Sequence, residues 1–364
     1  MSSTPFSVFV AAGGTGGDLF PAIAVVQELQ RRYDVKIVLF GNPSRMEAKV
    51  APQQGYEFVP LSVRGYKGIR SLQSYLLPFT ILHSFLRVSG YIRRRKPRLV
   101  ICAGTYISYP VALAARLHGI PIVSIESNVL PGKANRSVAR YASLIIAAFA
   151  ETRAYLPPST HAAMRVLGNP LRSTLRQLPE RIAAAASFGF DAHQPTVLVF
   201  GGSLGARSLN NAMSAALMEL GQKNVQVIWQ TGTSFTTPEH LPANVRVLPF
   251  INDMASAYAA CDLVVCRAGG GTVAELTTVA KPAILIPYPH AANNEQEFNA
   301  RALEAKGGAV MMKDNLVAES LISEMLALVH DEERLKSMSA ALKEMARPDA
   351  ARDAVDEMAT LLNL

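Results

Sequence analysis

Cysteine is scarce in this chain: 364 residues carry three, Cys102, Cys261 and Cys266, with no CxxC pair and no accompanying histidine cluster. A disulfide framework and a zinc site are therefore not expected, and a reducing compartment is. The amino-terminal stretch lacks a basic segment followed by an apolar one, because Val8–Ala12 runs straight into a glycine-rich loop. Export by a signal peptide is not expected. Residues 71–86 form a charge-free run, but it holds Gln, His and Pro and is too short and polar to span a bilayer. Negative charge is sparse in the first part of the chain. Residues 1–165 hold 20 Lys+Arg against 7 Asp+Glu, or +13, whereas the remainder holds 16 against 21, or −5, for a net +8. Such asymmetry points one half at an anionic partner, nucleic acid or a membrane surface. No nucleic-acid reading motif and few aromatics accompany the basic cluster, so no nucleic-acid partner is expected.

What is present is a globular composition, 49% hydrophobic and 18% charged, long enough for two domains. Strand-like runs alternate with helix-length segments. Val8–Ala12, Val35–Phe40, Leu99–Ala103, Pro121–Ile125 and Leu144–Ala147 read as strands of a first domain. Thr196–Phe200, Val225–Gln230, Val245–Pro249, Leu263–Cys266 and Ala283–Ile286 read as strands of a second. This alternation predicts an α/β fold of two Rossmann-like domains with parallel sheets. Gly168-Asn169-Pro170 is the candidate boundary, giving domains 1–167 and 168–345, with a carboxy-terminal helix in 346–364 crossing back to the first.

Chemistry concentrates where strands end. The stretch VFVAAGGTGGDLFPAIAVVQEL (8–29) runs from strand through Gly13, Gly14, Thr15, Gly16 and Gly17 into a helix. Such a turn aims backbone N–H groups and the positive end of a helix dipole at one spot, although the spacing is not G-x-G-x-x-G and Asp18 adds a carboxylate. VLVFGGSLGARSLNNAMSAAL (197–217) echoes that order. In residues 264–301, Gly269, Gly270 and Gly271 precede a helix from Thr272, a diphosphate site in physical terms. Glu275 one turn in suits two ribose hydroxyls, and His290–Gln296 forms a polar loop for a sugar. Between early strands, residues 72–98 place Ile81, Phe85, Val88 and Ile92 at helical spacing beside Leu77 and Leu82, followed by Arg93, Arg94, Arg95, Lys96 and Arg98. An apolar face rimmed by basic residues fits either an interfacial membrane contact or a core helix with a solvated basic turn.

Taken with RMEAKVAPQQGYEF (45–58), ESN (126–128), PGKANR (131–136), GNPLR (168–172) and FINDMASAYAACDLVVCRAGGGTVAEL (250–276), these motifs cover almost the whole chain. The sequence resembles the bacterial UDP-N-acetylglucosamine:lipid I N-acetylglucosaminyltransferases, which form lipid II for peptidoglycan. The resemblance implies a GT-B fold, with the two domains facing across a cleft, and transfer of N-acetylglucosamine from UDP-GlcNAc to lipid I. It implies no cofactor and a peripheral place on the cytoplasmic face of the plasma membrane. Carried over residue by residue, UDP-GlcNAc is bound by Gly14, Thr15, Gly16, Asn128, Arg172, Ser203, Ile251, Gly270, Gly271, Thr272, Glu275 and Gln296. Ser203 meets a phosphate, the Ile251 backbone the uracil, and Gln296 the sugar. Glu126 and Asn128 lie on the acceptor side. Leu77, Ile81, Leu82, Phe85, Arg93, Arg94 and Arg95 fall in the membrane-docking stretch, on an anionic lipid surface.

Four positions depart from the family pattern: Asp18 replaces histidine, Ile125 and Ser127 replace the histidine and glutamine of a His-Glu-Gln-Asn run, and Leu204 replaces glutamine in the GGS loop. With no Asp-x-Asp motif in a suitable setting, the expectation is metal-independent inverting transfer, with Asp18 as base and Glu126 as the second catalytic carboxylate. The alternatives are a related transferase with another lipid acceptor, a UDP-GlcNAc 2-epimerase, and a UDP-sugar-binding paralogue that lost catalysis with the histidine.

Overall fold

Strands buried on both faces read as near-continuous apolar runs, and FSVFVAA at Phe6–Ala12 is such a run. In the computed structural model, which describes residues 5–14, 16–63, 76–171, 175, 177–202 and 204–364, this run is β1. Its side chains alternate between two cores: Val8, Val10 and Ala12 join one apolar cluster, Phe9 and Ala11 the other. The first cluster is closed by the helices Gly16–Arg32 and Ala350–Leu362, the second by Leu77–Arg95 and Ser108–Leu117. A sheet covered by helices on both faces is the doubly wound arrangement.

The chain divides into two units, Met1–Arg172 with Arg347–Leu364, and Ser173–Ala346. In unit 1 the strands following β1 are β2 (Val35–Gly41), β3 (Glu57–Pro60), β4 (Leu99–Ala103), β5 (Ile122–Glu126), β6 (Leu144–Ala147) and β7 (Met164–Val166). All pair in parallel, in the order β3-β2-β1-β4-β5-β6-β7. Unit 2 repeats the scheme with β8 (Thr196–Phe200), β9 (Gln226–Gln230), β10 (Val245–Leu248), β11 (Leu263–Cys266), β12 (Ala283–Leu285) and β13 (Ala309–Met311), ordered β10-β9-β8-β11-β12-β13. The strand order reverses beside β1 and β4 in unit 1 and beside β8 and β11 in unit 2. Ligands of open α/β sheets bind beyond the carboxyl ends at such switch points.

The ten expected strands are present, shifted by a residue or two at some ends, and the three additional ones are β3, β7 and β13. All three lie at sheet edges, where short, half-buried segments leave no long apolar run. Gly168-Asn169-Pro170, read as a boundary, lies inside unit 1, because Asn169 is buried and accepts a hydrogen bond from Ser127 Oγ at 3.0 Å. Helix Ala350–Leu362 packs Ala354, Val355, Met358 and Leu362 into the unit 1 core. Arg98 also donates to the Leu362 carbonyl at 2.8 Å.

On helix Gly16–Arg32, Glu28 accepts from Arg31 (2.8 Å) and Arg32 (2.7 Å), and Arg32 reaches on to Asp356 at 2.5 Å. The bond from Arg31 is the main reason that the Glu28 carboxyl is lowered to about 2. A carboxyl depressed in the folded state contributes stability above its unfolded value near 4.5, and that contribution disappears as pH falls toward 2. Glu28→Gln is therefore expected to flatten the acid side of the stability curve between those values, as measured by urea unfolding at stepped pH, while changing nothing in its slope above pH 6.

Candidate functional site

At the switch point of unit 1, β1 and β4 end side by side, Ala12 opposite Ala103. Gly104, one residue on, has φ +58, a conformation that side chains rarely adopt, and a Cβ there would overlap the Asp18 carboxyl group. The carboxylate of Asp18, in the first turn of helix Gly16–Arg32, thus lies directly against the backbone of the neighbouring loop, at the carboxyl edge. The glycine loop before it is held from behind by Glu47, a residue that sequence reasoning passed over. Glu47 is fully buried; its Oε2 accepts from Gly14 N–H at 3.1 Å and its Oε1 from Asn42 N–H at 2.9 Å. One carboxylate so clamps the loops after β1 and β2, and the Gly14 amide is spent on it. Gly16 opens the helix, and Thr15 lies outside the described residues.

Glu126 ends β5 and is buried. Its Oε1 accepts from Asn128 N–H (2.9 Å) and Nδ2 (3.2 Å), and its Oε2 from Gly132 N–H (3.2 Å) and Asn135 Nδ2 (2.8 Å). A carboxylate offers about four lone-pair sites, and here all are taken by its own loop. Burial pushes its carboxyl above the usual range against the opposing pull of these donors. The expectation that Glu126 is catalytic is corrected on this geometry: it anchors the segment 126–135 and has no lone pair left for a transferred proton. Ser127 Oγ sits within 3.3 Å of the Gly17 carbonyl as well as near Asn169, and Thr152 Oγ1 donates to the Asn128 carbonyl at 3.1 Å.

In unit 2 the loops leaving the carboxyl edge are tied by polar side chains. Gln230, at the end of β9, accepts from Ile251 N–H at 2.8 Å and donates to the Gly202 carbonyl at 3.0 Å. Gly205, with φ +76, abuts the Thr231 carbonyl so closely that any Cβ would collide with it. Leu204 beside it is exposed, while Ser203 and Arg172 fall outside the described residues. After β11, Gly269 precedes the helix Gly270–Val279, which brings Gly270, Gly271 and Thr272 to its amino end. Glu275 Oε2 accepts from the buried Tyr258 hydroxyl at 2.8 Å, and burial, reinforced by that carboxylate, holds the tyrosine well above the ordinary phenol range.

Arg267 is the other group that the sequence reading missed. Nearly buried, it donates to Asp314 (2.6 Å), Ser208 (2.9 Å) and the Ile286 and Pro287 carbonyls (3.2 and 3.3 Å), and its guanidinium lies 5.5 Å from the Tyr288 ring centroid. Tyr288 N–H in turn donates to Gln296 Oε1 at 2.9 Å, which turns the Gln296 amide nitrogen away from the loop backbone. Asn299 Nδ2 holds the Ala268 carbonyl at 3.0 Å. A single buried guanidinium thereby supports the loop that orients Gln296.

Helix Leu77–Arg95 presents two apolar faces. Leu77, Ile81 and Phe85 pack, partly buried, against the core that Val88 and Ile92 complete. Their assignment as membrane contacts is corrected. The outward residues are Phe79 (70% exposed), Leu82 (54%) and Leu86 (60%), spaced i, i+3 and i+7, with exposed Arg93 seven residues beyond Leu86 on the same stripe. Arg94 is exposed beside it, and Arg95 pairs with Glu57 at 2.8 Å. No helix among the described residues is long and apolar enough to cross a membrane.

Comparison with known proteins gives this arrangement a context. The profile of the glycosyltransferase family 28 N-terminal domain matches residues 8–146, and that of the family 28 C-terminal domain matches residues 196–354. Two relatives carry the name UDP-N-acetylglucosamine--N-acetylmuramyl-(pentapeptide) pyrophosphoryl-undecaprenol N-acetylglucosamine transferase. That of Chlorobium luteolum is 40% identical, covering 95% of this chain and 96% of its own. That of Christiangramia forsetii is 36% identical, covering 98% of each chain. Among solved structures, Acinetobacter baumannii MurG superposes with TM-score 0.78 at 29% identity, covering 97% of this chain and 99% of its own. A UDP-N-acetylglucosamine 2-epimerase structure reaches 0.66 at 16% identity over 98% and 96%, a likeness of fold alone.

Glu126→Ala takes the acceptor from the Asn128 and Gly132 N–H groups and one of two acceptors from the Asn135 amide, at about 1–3 kcal/mol for each buried donor so orphaned. Hydrogen exchange of the β5 and 126–135 amides is expected to accelerate by at least tenfold in this variant. Unchanged exchange there would remove Glu126 as the anchor of the loop.

Proposed function

The chain belongs to glycosyltransferase family 28, and on that premise we propose that it transfers N-acetylglucosamine from UDP-GlcNAc to an undecaprenyl-pyrophosphoryl-N-acetylmuramyl-pentapeptide, the step that yields lipid II. The observation that carries the reading is the meeting of two features. Near-full-length relatives bear that name, and Asp18 sits at the unit 1 switch point, where an acceptor binds in a sheet of this order. The two-unit α/β architecture is the GT-B fold.

In the proposed reaction the acceptor hydroxyl gives its proton to the Asp18 carboxylate as its oxygen bonds to C1 of the sugar. The bond from C1 to the UDP oxygen breaks with its electron pair staying on UDP, and the configuration at C1 inverts. Asp18 takes the base role as the carboxylate that the first helical turn brings to the switch point, against the β4 loop. The leaving diphosphate is met by the N–H groups at Gly270, Gly271 and Thr272, with Ser203 and Arg172 assigned to it by family resemblance. Glu275, oriented by Tyr258, takes the ribose hydroxyls. The Ile251 N–H is spent on Gln230, so the uracil is met through the Ile251 carbonyl. Gln296 offers its amide nitrogen to the sugar. Gly14 and Gly16 shape the acceptor side, and Asn128 rides on the loop that Glu126 anchors.

The acceptor is lipid-linked, and the exposed ridge Phe79-Leu82-Leu86 ending in Arg93 and Arg94 fits an interfacial contact, each basic residue near anionic lipid adding about 1 kcal/mol. The enzyme is placed peripherally on the cytoplasmic face of the plasma membrane, a setting with which its three buried free thiols agree.

Asp18→Asn is expected to lower kcat by about 10²–10⁴, the usual contribution of a general base, with the dissociation constant for UDP-GlcNAc unchanged. Full turnover in that variant, followed by UDP release and lipid II formation, would sink the assignment. UDP release from wild type without lipid product would instead point to hydrolytic or epimerase-like chemistry. For the membrane ridge, Phe79→Asp with Leu86→Asp is expected to weaken sedimentation with anionic vesicles at least tenfold, while Phe85→Leu leaves it unchanged. Equal effects from both faces would return the contact to the inner stripe.

A further inference from the structure

A concavity lies on unit 1, beside the loop that Glu126 anchors. It measures about 340 Å³ and is lined by Arg136, Arg140, Ala154, Tyr155, Leu156 and Pro157. Arg136 follows Asn135, the residue that donates to Glu126, and the opposite wall, 154–157, continues from Thr152, which donates to the Asn128 carbonyl. The pocket thus adjoins the loop that Glu126 anchors along both of the segments that line it. Arg136 and Arg140 stand four residues apart, one helical turn, so both guanidinium groups face one side. Neither is paired with an acidic side chain among the described residues, unlike Arg31, Arg32, Arg95 and Arg165. Leu156 is buried beneath, and Lys133 and Arg153 on the same two segments are exposed and add positive charge. Two unpaired planar forks over an apolar floor, with a phenol in the wall, form a receptor for a planar anion on a small organic body.

We propose that this pocket binds the terminal carboxylate of the acceptor's pentapeptide. The inference rests on the transferase reading above and deepens it by giving the peptide a subsite. A pentapeptide joined to the muramyl group through its amino end carries its free carboxylate at the far end. Five extended residues reach about 17 Å, which lets the carboxylate sit in one part of unit 1 while the sugar hydroxyl stands at another. The carboxylate is accepted by the two guanidinium groups, and the small terminal side chains lie on Leu156 and Pro157. An arginine pair of this kind selects the acceptor without touching the reacting atoms, so its loss appears in acceptor KM and leaves kcat alone.

The test uses the full-length enzyme and three lipid-linked acceptors: one with the free pentapeptide carboxylate, one with its terminal carboxamide, and one without peptide. In wild type the carboxamide is expected to raise acceptor KM at least tenfold. The double variant Arg136→Gln/Arg140→Gln is expected to raise KM for the carboxylate acceptor by a similar factor and to discriminate no further between carboxylate and carboxamide. Its kcat, its KM for UDP-GlcNAc and its binding to anionic vesicles stay at wild-type values. A variant that weakens all three acceptors equally, or that loses vesicle binding instead, overturns the proposal, as does a wild type indifferent to the carboxamide. A wild type that transfers to none of the three removes the functional reading itself and the subsite with it.

Discussion

A polar side chain taken out of water has to be given partners, and in this protein that requirement is what shapes the working edge of each sheet. Parallel strands release all their following loops at one edge, and such loops have no ladder of their own to hold them. Here they are held by single buried groups that each reach two segments. Glu47 joins the loops after β1 and β2, Glu126 gathers the segment after β5, Gln230 joins the loops after β8 and β10, and Arg267 joins four segments around β11 and β12. The desolvation cost of each is offset by several bonds to backbone or buried side chains, so the cost recurs if any one loop moves away. Loop order and polar satisfaction are the same problem.

The two units solve that problem with different charge. In unit 1 the buried anchors are carboxylates, and Asp18 adds a third at the switch point, so the first glycine loop does not behave as a phosphate cradle: its Gly14 amide is already given to Glu47. In unit 2 the anchor is a guanidinium, and the N–H groups at the start of helix Gly270–Val279 carry no carboxylate in their first turn. That contrast is the basis of the roles proposed above for each unit. The echo between the two glycine loops in sequence is one of backbone shape, and their electrostatics have diverged.

The α/β class and the ten long strands were legible because strands covered on both faces leave unbroken runs such as VLVF and LVVC. Edge strands β3, β7 and β13 leave none. The glycine loops and Glu275 could be located from spacing, since helix starts and tight turns demand particular residue types. Glu47, Gln230 and Arg267 could not, because an acid, an amide and an arginine near strand ends read as surface residues until the partner loops, tens of residues away, are brought beside them. Helix Leu77–Arg95 shows the opposite failure. Apolar residues occupy both its faces, and the regular run Ile81-Phe85-Val88-Ile92 drew the membrane assignment, although regular spacing is what a core face has. The outward ridge is shorter, and it continues into exposed Arg93 rather than another aliphatic residue.

The replacement of histidine by Asp18 has a structural corollary. An imidazole is larger than a carboxylate, and Gly104 already leaves no room for a Cβ beside Asp18. The Asp18 carboxyl lies against the backbone of the β4 loop, which withdraws part of its surface from water. Loss of hydration disfavours the charged form of a carboxylate. Glu126 shows the limit of that effect: it is buried further, but four donors take up its lone pairs. Of the two carboxylates first considered, the Glu126 geometry argues against one, and the proposal above rests on the other, Asp18, which lies against the β4 loop at the switch point.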